Sequence, residues 1–168
     1  NFESIAINPA PAVTSINDTL DTTTVSLTAT PSVTEGGSIV YTASLNSAAQ
    51  TPVAVTLSNG EVITIAAGAS NGTATVAAPA DDVYLDAGNI SASIASATGG
   101  NFEGLAINPA PATTAITDTT DTTTVSLTAS GSVAEGGNLT YTASLNNPAG
   151  SPVNVTLSNG TVISIAAG

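Results

Sequence analysis

Apolar and polar residues alternate with a period of two along most of this chain, which is the pattern of half-buried β-strands. Residues 24–29, for example, place Val25, Leu27 and Ala29 on one face. The alternation predicts seven short strands in each stretch of roughly 100 residues. These strands cover residues 24–29, 38–45, 53–57, 61–66, 73–77, 89–96 and 102–117, the last one interrupted by Pro109 and Pro111.

Turn signals separate these strands, and no segment has a helical period. The pair Asn59-Gly60 predicts a tight hairpin because both residues tolerate a positive φ. Many short strands with regular turns, in a chain without cysteine, are typical of a sandwich that lacks the immunoglobulin disulfide. The predicted fold class is therefore all-β, with tandem immunoglobulin-like β-sandwich domains stacked end to end.

The chain repeats itself at an offset of 100 residues. Residues 1–68 align without gaps to residues 101–168, and 49 of the 68 paired positions are identical. A repeat of this length is one small domain rather than one turn of a solenoid. We expect residues 1–21 to be the last strand and linker of a preceding repeat, residues 22–121 a complete repeat, and residues 122–168 the first half of the next, with about four strands.

Composition excludes several classes of function. The chain has no Lys, Arg or His and twelve carboxylates, for a formal charge of −12. Nucleic acid needs cationic side chains, so it is excluded as a partner, and anionic membrane surfaces are disfavoured. No apolar run is long enough for membrane insertion. Without His or Cys, zinc and the usual general base are absent, and with few aromatic residues to line a cleft we expect no enzyme.

The predicted strand order brings most carboxylates of the complete repeat to one end of the sandwich. Successive connections alternate between the two ends, so three loops and the exit linker share an end, and Glu103 alone lies apart. The residues expected at this end are Glu35, Glu61, Asp81, Asp82, Asp86, Asp118 and Asp121. Uncompensated carboxylates repel each other unless a cation joins them, and Ca²⁺ prefers such oxygen ligands. The simpler alternative is that these residues only keep the surface soluble.

The three tyrosines have less specific interpretations. Tyr84 lies in the loop before residues 89–96 and is either a tyrosine corner, with its hydroxyl bonded to the backbone of its own loop, or an ordinary buried aromatic residue. Tyr41 and Tyr141 lie in the middle of predicted strands and are expected in the core.

Several motifs in fixed order carry a resemblance to a known family. They are Asp-Thr-Thr-Thr-Val-Ser-Leu-Thr-Ala, Ser-Val-x-Glu-Gly-Gly, Tyr-Thr-Ala-Ser-Leu, Val-Thr-Leu-Ser-Asn-Gly and Asp-Asp-Val-Tyr-Leu-Asp-Ala-Gly. Over its whole length the chain resembles the extender repeats of giant type I-secreted, RTX-type bacterial biofilm adhesins such as LapA. The resemblance implies calcium at the linkers. Carried over by position, the ligands are the linker carboxylates Asp18, Asp21, Asp118 and Asp121 and the loop carboxylates Glu35, Asp82 and Asp86.

Three functions remain open at this point. The first is a non-catalytic, Ca²⁺-rigidified extender on the bacterial cell surface, with neighbouring repeats of the same chain as partners. The second is an extracellular filament in which partial domains of different copies complete one another by strand complementation. The third is a carbohydrate- or ice-binding module, which lacks the aromatic platform that a sugar site usually offers.

Overall fold

The computed structural model describes residues 1–168 and consists of fourteen strands joined by turns and loops. No helix has the length and apolar character that crossing a membrane requires. The strands are β1 (Thr22–Ala29), β2 (Ser32–Thr34), β3 (Ser38–Leu45), β4 (Val53–Leu57), β5 (Val62–Ile65), β6 (Asn71–Ala77), β7 (Gly88–Ala92), β8 (Ile94–Gly99), β9 (Gly104–Ile107), β10 (Ala112–Thr117), β11 (Val125–Ala129), β12 (Tyr141–Leu145), β13 (Val153–Thr156) and β14 (Val162–Ile165).

The first ten strands form two facing layers. One layer has the order β6-β3-β1-β9, antiparallel except for the parallel pair of β1 and β9. The other contains β5-β4-β8 and β2-β10-β7. Because β7 and β8 follow one another with only Ser93 between them, they act as one interrupted strand that links these two small sheets. The all-β, disulfide-free sandwich predicted from the alternation is confirmed.

The core lies between the two layers and is made mainly of small aliphatic residues. Tyr41, with none of its surface exposed, is the largest fully buried side chain. The alternating positions of each predicted strand point inward as expected for a pleated sheet. The buried apolar residues are Val25, Leu27, Ile39, Tyr41, Ala43, Leu45, Ala49, Val53, Val55, Leu57, Ile63, Ile65, Ala92, Ile94, Ala112 and Ile116.

The strand pairings bring three connections to the same end of the sandwich. These are the turn after β2, the long loop between β6 and β7, and the linker after β10, and this end is called the exit end below. Its position follows from the register. The three pairings that mark it are Ser38 with Ala77, Gly88 with Ile116, and Thr34 with Thr117.

The strand prediction differs from the structure in number. Strand β2 was not predicted, because three residues are too few to show a period. Residues 89–96 were predicted as one strand, but the structure divides them at Ser93 into two strands. The predicted interruption of residues 102–117 by Pro109 and Pro111 is confirmed, since β9 ends before these prolines and β10 begins after them. Each proline lacks the N–H that a ladder needs.

The Asn59-Gly60 hairpin forms between β4 and β5, but with a different turn. Only Gly60 has a positive φ, of 88°. The N–H of Gly60 donates to the Leu57 carbonyl at 3.0 Å, and the N–H of Leu57 donates to the Glu61 carbonyl at 2.8 Å. This is a type I turn closed by a left-handed glycine, so the predicted tight hairpin forms with only one of the two residues at positive φ.

Residues 122–168 repeat the pairings of the complete repeat. The pair β11–β12 joins Val125 to Leu145, and β13–β14 joins Val153 to Ile165, each 100 positions beyond the corresponding pair in β1–β3 and β4–β5. Tyr141 is 38% exposed, whereas Tyr41 is buried, so the expected core position holds for Tyr41 and not for Tyr141, whose segment has only four strands. Residues 1–21 form no strand and are exposed throughout. Their assignment to a preceding repeat stays a prediction.

We expect that substituting Tyr41 with Phe will stabilise the complete repeat. The Tyr41 hydroxyl is buried without a hydrogen-bond partner, and burial also raises the pKa of this phenol. Removing an unsatisfied buried hydroxyl should increase the free energy of unfolding by about 1 kcal/mol. Urea unfolding of the whole chain would measure this, with Tyr141→Phe as the matched control at the exposed equivalent position. A clear loss of stability in Tyr41→Phe would contradict the expectation.

Candidate metal centre

Glu35 lies in the turn that follows β2, within the sequence Thr-Glu-Gly-Gly. The left-handed φ of Gly36, +69°, lets the chain reverse there. The N–H of Glu35 donates to the carbonyl of Thr117 at 3.1 Å, and the N–H of Gly36 donates to the carbonyl of Pro79 at 2.7 Å. These two backbone bonds tie the turn to the end of β10 and to the loop between β6 and β7. Glu35 is left only 6% exposed.

Three carboxylates meet at this point. One oxygen each from Glu35, Asp86 and Asp118 can be chosen so that all three atoms lie within 4.8 Å of one another. Glu35 Oε2 and Asp118 Oδ1 are buried and have no hydrogen-bond partner. Since the chain contains no Lys, Arg or His, no side chain of its own can neutralise the group. Buried, unpartnered carboxylate oxygens of this kind fit a hard divalent cation.

The electrostatics of the cluster raise the pKa of Glu35 from 4.5 to about 7. The largest cause is a hydrogen bond between the carboxyl groups of Glu35 and Asp86, which forms only when a proton is shared between them. Burial and the negative charges of Asp86 and Asp118 raise it further. A cation bound beside Glu35 would favour the charged form of this carboxylate, which burial and its neighbours disfavour.

Asp81 and Asp82 reach the exit end but serve as hydrogen-bond acceptors there. The hydroxyl of Thr119 donates to Asp81 Oδ1, which joins the loop between β6 and β7 to the exit linker. Asp82 Oδ1 accepts a bond of 2.8 Å from the N–H of Tyr84, an Asx turn within the same loop. Neither residue belongs to the three-carboxylate cluster. Their predicted role as ligands stays a prediction.

The linker carboxylates fall in three different places. Asp121 lines a 210 Å³ cavity together with Asp118 and residues 83–85 and 119–120, so it lies beside the cluster without joining it. Asp21 lies at the opposite end of the sandwich, where its N–H donates to Glu103 Oε2 at 2.6 Å. This contact agrees with the expected separation of Glu103 from the exit end. Asp18 is exposed, and its Oδ1 accepts only the N–H of Thr19, at 3.1 Å.

Glu61 does not lie at the exit end as predicted. The N–H of Ser58, in the same turn as Glu61, donates to the carbonyl of Ser93 at 2.9 Å. Ser93 is five residues beyond Gly88 along the interrupted strand β7–β8. At about 3.3 Å per residue, this turn is roughly 16 Å from the exit end. The hairpin β4–β5 is too short to span the sandwich.

Tyr84 is neither a tyrosine corner nor a buried aromatic residue. It is 41% exposed, and its hydroxyl donates to the carbonyl of Pro148, in the segment that follows the complete repeat, at 2.9 Å. Together with the Thr119 hydroxyl on Asp81, this is a contact that sequence analysis missed. No signal in a single sequence distinguishes a tyrosine that contacts the next repeat from one that stays within its own.

Fold and site together define the type of protein as a disulfide-free β-sandwich repeat with an acidic end next to its linker. The chain belongs to the LapA domain family, whose model matches residues 21–119 and again residues 121–168. This relates it to biofilm adhesins of the LapA type, which are cell-surface or extracellular proteins with a structural rather than an enzymatic role. No curated protein and no solved structure matches the chain.

In the absence of divalent cations, we expect the repeat to lose stability as the pH rises. Glu35 has a pKa of about 7 in the folded chain and 4.5 as its unperturbed value. Between these values the unfolded chain releases the proton that the folded chain still holds, so the stabilisation present below pH 4.5 is lost as the pH passes 7. The midpoint of urea unfolding in a chelator, measured from pH 5.5 to 8, should fall accordingly.

Glu35→Gln should flatten this pH profile, because the amide cannot ionise. The matched control is Glu135→Gln, the equivalent and exposed position in the next segment, which should keep the profile of the parent chain. If Glu35→Gln retained the full slope, the cause assigned to the pH dependence would be wrong.

Proposed function

We propose that this chain is a Ca²⁺-rigidified extender of an RTX-type cell-surface adhesin, in which tandem repeats project a distal binding domain for adhesion and biofilm formation. The observation that carries the proposal is the cluster of Glu35, Asp86 and Asp118, with two buried carboxylate oxygens that lack a partner. Membership of the LapA domain family supports the same role. Neighbouring repeats of the chain are its main partners.

The three carboxylates would hold the ion through oxygen atoms from three separate segments. Glu35 contributes from the turn after β2, Asp86 from the loop between β6 and β7, and Asp118 from the first position after β10. Calcium takes about six to eight oxygen ligands, so backbone carbonyls or water would complete the shell. Asp81, Asp82 and Asp121 lie on the same loop and linker and are candidates for further ligands, and Asp18 and Asp21 would serve the preceding linker.

Calcium bound here would act on the linker because Asp118 is the point where the chain leaves the sandwich. The ion neutralises the mutual repulsion of the cluster and joins the linker to two loops of its own repeat. A linker anchored in this way has less freedom to bend. With each sandwich about 40 Å long, reach then grows in proportion to the number of repeats.

We expect calcium to raise the melting temperature of the chain and Asp118→Asn to weaken this effect strongly, because the variant loses a charged ligand of the cluster. Isothermal titration calorimetry and thermal unfolding with and without EDTA would measure both. Glu3→Gln is the control, since Glu3 is an exposed carboxylate that is not among the proposed calcium ligands. Identical calcium titrations for the parent chain and Asp118→Asn would rule out this site.

The double substitution Asp118→Asn with Asp121→Asn should loosen the angle between the repeats and leave each sandwich folded. Small-angle X-ray scattering in calcium should then give the shorter and broader distance distribution that the parent chain shows in EDTA. A scattering profile unchanged by the double substitution would show that linker carboxylates do not set the angle.

The alternative proposal is an extracellular filament subunit whose partial domains are completed by strands of other copies. One observation favours it: apolar side chains are exposed both in the segment 1–20 and in β11. Ile7 and Leu127, for example, are 89% and 49% exposed. A neighbouring repeat of the same chain would cover these residues equally well. Analytical ultracentrifugation separates the two: a monomer at every concentration excludes strand exchange, and concentration-dependent oligomers support it.

A further inference from the structure

The side chain of Tyr84 leaves its own repeat and lies on the next one. Its hydroxyl donates to the Pro148 carbonyl at 2.9 Å. Its ring lies over Gly150, where a Cβ atom would be in van der Waals contact with the ring, 3.5 Å from Cε1 and 3.6 Å from Cδ1. The contact therefore combines a directional hydrogen bond with close packing of an aromatic ring, and it involves no carboxylate.

The ring borders an apolar opening at the end of the next repeat. A cavity of about 320 Å³ lies between Val83 and Tyr84 on one side and Val125, Leu145 and Val153 on the other. The equivalents of these last three residues, Val25, Leu45 and Val53, belong to the buried core of the complete repeat. Tyr84 thus lies against the near end of the following repeat's core.

Two acidic residues that precede Tyr84 hold the loop that carries it. Asp82 Oδ1 accepts the Tyr84 N–H in an Asx turn, and Asp81 accepts the Thr119 hydroxyl from the linker. Leu85, the next residue, points elsewhere and is 88% exposed. The tip of the loop is therefore shaped to present Tyr84, with Val83 beside it, to the neighbouring repeat.

We propose that Tyr84 is the docking residue that fixes the orientation of the repeat beginning near residue 121, by binding the surface formed by residues 148–150 of that repeat. This interaction goes beyond the calcium proposal and does not rest on it. The docking surface also differs between the two repeats. The position equivalent to Gly150 is Gln50 in the complete repeat, where the side-chain carbonyl accepts a bond of 2.8 Å from Asn101 Nδ2.

Distances between spin labels test this proposal. The chain has no cysteine, so Ala54→Cys and Asn154→Cys introduce labels at equivalent exposed strand positions of the two repeats. Double electron–electron resonance should give a narrow distribution for the parent chain. Tyr84→Ala should broaden it at least two-fold, whereas Leu85→Ala, the matched control in the same loop, should not. An unchanged width in Tyr84→Ala would overturn the proposal.

Gly150→Gln provides a second test with a residue that the fold accepts at the equivalent position. The glutamine competes with the ring for the space above residue 150, so it should broaden the distribution as Tyr84→Ala does, and combining the two should add nothing further. A narrow distribution in Gly150→Gln would contradict docking at this surface.

Each variant is measured in calcium and in EDTA, which separates the two proposals. If the distance distribution of the parent chain is the same in both conditions, the calcium proposal fails, but the effect of Tyr84→Ala on the width of the distribution can still be measured. If Tyr84→Ala is without effect in both conditions, the docking proposal fails whatever calcium does. Circular dichroism and thermal unfolding verify that each variant is folded.

Discussion

The convergence of three carboxylates, in a chain without one cationic side chain, is the constraint on which the exit end depends. Strand register forces it: β2 pairs with β10 and β10 with β7, so their ends and the residues just beyond them meet. Two backbone hydrogen bonds then hold the Glu35 turn in place. The fold thus brings like charges together, and only protons or cations from solution can relieve their repulsion. The raised pKa of Glu35 follows from this convergence, first through the hydrogen bond between the carboxyl groups of Glu35 and Asp86, and then through burial and the neighbouring negative charges.

The sequence predicted the layers of the sandwich because period-two alternation reports directly which side chains face a core. It did not predict β2, a three-residue strand stabilised by pairing with β10, which follows it by about 80 residues. It also could not locate the break at Ser93 between β7 and β8. Both features depend on tertiary contacts rather than on local pattern, and both belong to the sheet that leads to the exit end.

The location of the site was predictable to the extent that successive loops alternate regularly between the two ends of the sandwich. Alternation of connections placed Glu35, Asp86 and Asp118 at one end correctly, but the same rule failed for Glu61, since it assumes that every hairpin spans the sandwich. Counting carboxylates could not separate cluster members from acceptors such as Asp82, whose oxygen accepts a backbone N–H. That distinction depends on hydrogen-bond geometry. The contact of Tyr84 lies outside its own repeat and has no signature in a repeat considered alone.

Residues 78–87, the longest connection of the complete repeat, carry both functions that we propose for the joint. Asp86 at its base belongs to the carboxylate cluster, and Tyr84 near its tip contacts the next repeat, only two residues away. A cation that fixes Asp86 would restrict the same short segment that aims Tyr84. The two interactions would then reinforce one another through the loop backbone, because a segment already ordered by one contact loses less conformational entropy when it makes the other. A stalk built this way stiffens most at the joints where both are present.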